Sequence, residues 1–201
     1  VAYDRHPREF VLLTEMTTIQ CKLSASVGCC SAIVEQGGFG RAMSVVKSHG
    51  SNVPYCTSAA KLAANVLSSG SGIQVQSSSP PKLLGILHEA FVAILGVHTS
   101  GRIAADTVCA VSSLMTTGWA VRELLSDGSL IDCLASVCTN AGSADLSRSI
   151  VNVLLRSMVC VEDTHTGSGG DGYKPRPSML KCEYIGSYQT QAGDGVETAP
   201  M

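Results

Sequence analysis

Ser31-Ala32-Ile33-Val34-Glu35-Gln36-Gly37-Gly38-Phe39, followed further on by Ala63-Ala64-Asn65-Val66-Leu67-Ser68, is the stretch on which the reading of this chain turns. An apolar helix end, Ile33-Val34-Glu35, runs into a glycine pair that has no side chains to clash and so permits a tight turn into the next helix. Downstream, Ala59, Ala60, Ala63, Val66 and Leu67 recur at steps of three and four, which places them on one face of a helix over residues 57–67. Lys61 and Asn65, four apart, share a different face.

Working outward, the same landmarks return. Asp127-Gly128-Ser129-Leu130 repeats the glycine turn, again after an apolar helix end, Leu124-Leu125-Ser126. The step from Leu23 to Gly37 is 14 residues, as is that from Leu114 to Gly128. Gly128 to Leu154 is 26 residues, and so is His88 to Leu114. Residues 146–155 carry Leu146, Ile150, Val153 and Leu154 on one face, with Arg148 and Asn152 repeating the Lys61/Asn65 relation; residues 104–114, entered after Gly101, form a third such helix. His88-Glu89 then takes the turn position of a middle unit and reads as a helix start with its acidic residue near the positive end. The last two units stand 40 residues apart and the first two 51, the surplus falling in breaks at 48–54 and 68–81, the second Ser-rich and ending in Pro80-Pro81. Insertions are tolerated there because loops run over the surface.

A period near 40 with two or three helices per unit is the mark of stacked helical arrays. The stretch from Ser31 to Ser68 resembles one armadillo repeat, in which an acidic-x-Gly-Gly turn opens the second helix and Ala-x-x-Asn-x-Leu lies on the third. The third unit keeps Gly128 and Asn152-Val153-Leu154; the middle unit, with His88-Glu89 and Ser112-Ser113-Leu114, is the weakest match. The resemblance covers about three quarters of the chain, and a HEAT-type or other helical stack shares its period. It implies an all-α, armadillo-like right-handed solenoid of about three repeats over residues 9–158, followed by a flexible tail over 159–201. In that tail only residues 179–185 alternate enough to form a strand. The resemblance also implies a concave surface of third helices that holds an extended peptide, with Asn65, Ser112 and Asn152 in the column that grips the ligand's main chain. Where importin-alpha-type grooves carry Trp, four residues earlier, this chain has Lys61, Val108 and Arg148, which suits an acidic or polar partner rather than a basic import peptide. The competing role for the Asn residues is a hydrogen bond to a neighbouring helix, or plain solvation.

Composition narrows the class. In 201 residues, 45% apolar but only 4% aromatic, the core is built from small and branched side chains, as close-packed helices require. A formal charge of −2 offers no basic surface for nucleic acid. Nine cysteines set among apolar neighbours read as reduced core thiols of a cytoplasmic, or alternatively nuclear, protein. The longest apolar run, residues 83–97, is interrupted by His88-Glu89 and too short to span a membrane. Trp119, after Gly118, reads as a packing anchor between units.

No chemistry-bearing motif emerges. Cys29-Cys30 and Cys133-x4-Cys138 lack second pairs or histidines at zinc spacing, and Gly38-Phe39-Gly40-Arg41-Ala42-Met43 lacks the last glycine of a dinucleotide loop. The five histidines are scattered. The expectation is a non-catalytic protein-interaction module, without cofactor, metal or small-molecule substrate, that binds a protein or extended peptide. The alternatives are a structural segment of a larger solenoid and a small α-helical enzyme with a cysteine nucleophile, for which Cys109 with His98 is the pairing to test.

Overall fold

Gly37 turns the chain with φ of +70° and Gly128 does the same with φ of +75°, so both glycine landmarks sit where an L side chain would be strained. Gly38, the first residue of the helix that follows, is needed for space: a Cβ there would lie 2.9 Å from Gln20 Nε2 and 3.3 Å from the Ile33 carbonyl oxygen. The computed structural model describes residues 9–69, 81–115, 118–125 and 127–162, all within a unit spanning Val1–Ser168. Among these residues the regular elements are helices, with no strand. We number them α1 (Phe10–Leu23), α2 (Val27–Glu35), α3 (Gly38–His49), α4 (Val53–Ser68), α5 (Pro81–Leu95), α6 (Gly101–Leu114), α7 (Gly118–Leu124), α8 (Ser129–Asn140) and α9 (Ala144–Glu162). The tail expected from residue 159, with its strand, lies outside the described residues apart from the end of α9. The Trp119 side chain and most of the Ser-rich break lie outside them too.

Local chemistry sets the ends. Asn52 caps α4, its Oδ1 accepting from the Tyr55 amide at 3.0 Å, with Pro54 in the first turn where no amide is missed. Asp127 Oδ1 accepts from the Ser129 amide at 3.0 Å at the start of α8. Pro81 opens α5, and here the structure corrects the register read from sequence. His88-Glu89 is not a helix start but lies in the middle of α5. Leu84, Leu87, Phe91 and Ile94 are buried at helical spacing straight through that point. Pro81, with φ already locked in the helical range, starts the helix two turns earlier.

The helices pack in two files. In one, α1 lies against α4, α4 against α6 and α6 against α9; in the other, α3 lies against α5 and α5 against α8. The files are joined by α3 against α4, α5 against α6 and α8 against α9, and the short α2 and α7 fill the corners. α4 is the most enclosed. It buries Tyr55, Cys56, Ala59, Ala60, Leu62, Ala63, Ala64, Val66 and Leu67, and its alanines let the flanking backbones approach closely. Tyr55 fixes α4 to α3 by donating its hydroxyl to the Ala42 carbonyl at 2.7 Å. The buried apolar side chains form one cluster running from Leu13 to Val153.

Two glycines test the packing with opposite signs. A Cβ on Gly50 would lie 2.9 Å from the Ala93 carbonyl oxygen, a backbone atom that cannot swing aside, whereas a Cβ on Gly85, inside α5, meets nothing within 4 Å. Gly50→Ala is expected to destabilise by about 1–3 kcal/mol through overpacking. Gly85→Ala should stabilise by about 0.5–1 kcal/mol by removing backbone freedom from the unfolded chain. Urea denaturation of the two variants reads both signs; a stable Gly50→Ala protein would contradict the α3–α5 packing.

Candidate partner-binding face

The face of interest is the exposed side of the file α1, α4, α6, α9. Lys61 and Asn65 are half-buried on α4, and Arg148 and Asn152 are exposed on α9. Val108 and Ser112 are not part of this surface: at 1% and 8% exposure they belong to the core. The side of α6 that reaches the surface carries Arg102, Asp106, Cys109 and Ser113 instead, at steps of four, three and four. The middle column follows from His88 as a turn, and with α5 starting at Pro81 there is no turn at His88 to anchor it.

Asn65 donates from Nδ2 to Ser24 Oγ at 2.9 Å, tying α4 to the end of α1. Ser24 in turn donates to the Cys21 carbonyl at 2.7 Å, and at the same α1–α4 joint Thr18 shares a hydrogen bond of 2.9 Å with Ser58. Asn65–Ser24 and Thr18–Ser58 are thus polar ties between α1 and α4. Asn152 makes no such tie and faces water.

Charge converges at the α1–α4–α6 crossing. Burial raises the Asp106 carboxyl above its ordinary 3.8, while Lys61 and then Arg102 pull it back; Arg102 Nε lies 3.7 Å from Asp106 Oδ2. Burial likewise raises the Cys21 thiol above its ordinary 9.0, with Lys61 opposing and Asp106 adding to the rise. Lys61 therefore stands in electrostatic reach of both helices that flank its own. Cys21 and Asp106 are members of this site that inspection of the repeats missed, although Cys21 precedes Lys61 by the same 40-residue step that separates the later units. Two cations, Lys61 and Arg102, thus act on the one carboxylate, and Lys22 acts on the neighbouring Cys21. On α9, Arg148 pairs with Asp145 at 3.2 Å.

Comparisons with protein-family models, with curated proteins and with solved structures find no match.

Two other constellations bear on chemistry. His88 Nε2 lies 3.2 Å from both Ser129 Oγ and Asp127 Oδ1, and the Ser129 hydroxyl donates to Asp127 at 2.7 Å. A serine–histidine–acid relay needs the hydroxyl and the acid on opposite ring nitrogens; here they share one, and the cluster clasps α5 to the start of α8. Donation from the Ser129 hydroxyl and amide holds the Asp127 carboxyl below its ordinary 3.8, and His88 adds to this. His98, the proposed partner of Cys109, has its Nε2 2.9 Å from the Gly50 carbonyl oxygen. The cysteines whose thiols shift all shift upward. Burial pushes Cys56 to about 11, and it raises Cys21 and Cys133 as well. A nucleophilic thiol needs the opposite shift. Among the described residues no three His, Cys, Asp or Glu side chains are grouped to hold a metal ion, and no helix is long and apolar enough to cross a membrane.

The environment of Asp106 sets a pH signature. An acid with a raised folded value keeps its proton in the native state where the unfolded chain has already released it. Stability therefore falls as pH climbs from about 3.8 through the raised value, and is level beyond it. Asp106→Asn removes that loss, so the variant's advantage over wild type should grow across this window and then hold. Denaturant titrations of both proteins over a pH series give the difference directly, and an advantage that shrinks with rising pH would refute the desolvated carboxylate.

Proposed function

We propose that the two files are an armadillo-like, right-handed solenoid of about three repeats, and that the α1–α4–α6–α9 face binds an extended acidic segment of a partner protein, with no chemistry of its own. What supports this is the order of packing: each third helix of the expected repeats, α4, α6 and α9, lies against the next, with α1 standing ahead of them as the third helix of a preceding unit. A file of this kind aligns equivalent surface positions along one wall, as an extended ligand requires. Charge selects the ligand. Lys61 and Arg102 beside Asp106, with Lys22 next to Cys21, attract carboxylates, and Arg148 and Asn152 continue the wall on α9. Asn152 is free to hold a peptide amide through both its donor and its acceptor. Asn65 serves by holding Ser24 and so the spacing between α1 and α4. A reducing compartment such as the cytoplasm suits the free cysteines of the described residues.

The experiment is fluorescence anisotropy of a labelled peptide of alternating Glu and Ser, with a Lys/Ser peptide as control. The acidic peptide is expected to bind and to weaken as salt rises, since exposed charges are screened. Lys61→Glu and Arg102→Glu should each weaken it roughly tenfold, about 1.4 kcal/mol. Asn152→Ala should weaken it with helicity unchanged. Equal binding of both peptides, or indifference to Lys61→Glu, would sink the proposal.

A further inference from the structure

Asp106 is an acid in poor surroundings for its charge. Its side chain is only 17% exposed, so most of its hydration is gone, and burial is the main influence on its carboxyl. Its ion pair with Arg102 Nε, at 3.7 Å, is longer than a hydrogen bond and lacks the two parallel contacts of a forked guanidinium pair. Lys61 from α4 and Arg102 from its own helix are the cations that act on it. Other charged groups on the helices packed against α6 are engaged elsewhere: on α5, His88 meets Asp127 and Glu89 meets Lys47, and on α9 Arg148 meets Asp145. From α1 the Cys21 thiol shares the field of Asp106, and with its value raised above 9.0 it is neutral at pH 7. The two cations are more accessible than the acid between them. The Arg102 side chain is 69% exposed, and Lys61 makes no ion pair within 4.0 Å among the described residues. A carboxylate arriving from outside therefore meets two reachable cations whose field is partly cancelled by an anion of its own sign.

We propose that Asp106 is a built-in competitor for the ligand of this face: ionised, it opposes an acidic segment at Lys61 and Arg102, and protonated, it leaves both cations to that segment. The proposal rests on the acidic-segment reading above and adds its regulation. The sign follows from charge. The ionised acid repels an incoming anion and the neutral acid does not, so the protonated form is the one that binds. By reciprocity the bound anion strengthens the hold of Asp106 on its proton, and binding takes up a proton at pH values where the acid titrates. Burial lifts that range above the ordinary 3.8. Affinity is thus highest on the acid side, falls as pH climbs through the raised value, and is level beyond it. Mild acid captures the partner and rising pH releases it. The desolvation that lowers stability over this window is the same one that makes the competitor easy to neutralise.

The probe is a labelled peptide of alternating cysteic acid and Ser, whose sulfonates keep their charge throughout, so that within this pair only the protein titrates. Its anisotropy with the whole 201-residue chain is followed between about pH 4 and about pH 8, with circular dichroism confirming the fold at each point. Wild type is expected to bind roughly threefold to tenfold more tightly on the acid side, the size of one like-charge interaction in partly screened surroundings. Asp106→Asn should bind at neutral pH as tightly as wild type does in acid and lose this response; Asp106→Ser repeats the test with a smaller neutral side chain. Calorimetry in two buffers of unlike ionisation heat should find proton uptake on binding by wild type, a readout that needs no variant. Wild-type affinity indifferent to pH, binding without proton uptake, or a response of the same size in the folded variants would overturn the competitor and leave the acidic-segment reading standing. A peptide that binds wild type and both variants at no pH would overturn both.

Discussion

The whole arrangement depends on one constraint: no helix here can bury its apolar surface alone, and each is covered by its neighbours in the file. α4 shows the constraint at its fullest. Nine of its residues are buried, yet its alanines supply little area each, so the energy comes from closeness of approach and from being covered on several sides. A core poor in aromatics follows from the same geometry. Phe39, Tyr55 and Phe91 are the fully buried rings among the described residues, and each sits on a helix of the inner joints, where one large side chain fills the gap that small neighbours leave.

Much of this was legible in the order of residues, and the failures have physical causes. The faces on residues 57–67 and 146–155 were readable because helical spacing is a local property, and the turns at Gly37 and Gly128 were readable because only glycine tolerates positive φ without strain. The middle unit was not. His88-Glu89 interrupts an apolar run in the sequence, but on α5 it falls on the side that meets solvent and Ser129, so the interruption is a change of face and not of element. Pro81 closes a Ser-rich break in the sequence, but proline is equally at home in the first turn of a helix, which is where it stands. That error moved the surface column of α6 from Arg102, Asp106, Cys109 and Ser113 onto the buried Val108 and Ser112.

The proposed binding face shows why a column of matching residue types is a weak guide to a surface. Asn65 and Asn152 share a residue type and a flanking cation, yet one is committed to Ser24 and the other to water. The difference lies in the neighbouring helix, which for α4 includes Ser24 at the end of α1. Cys21 and Asp106 were missed because they meet Lys61 only across two helix joints. A spacing rule within one repeat does not reach contacts made between repeats; the 40-residue step between units, applied to α1, reaches Cys21, but Asp106 lies 45 residues beyond Lys61 and fits no step.

Stacking and surface charge are coupled at that crossing. Asp106 is held where burial works against its charge, and Lys61 and Arg102 only partly compensate. Removing the acid would relieve the stack but leave the two cations facing each other with no anion between them. Retaining it keeps one anion between Lys61 and Arg102. The constraint that packs α1, α4 and α6 together is thus also what brings one acid and several bases, drawn from three separate stretches of chain, to a single point on the surface.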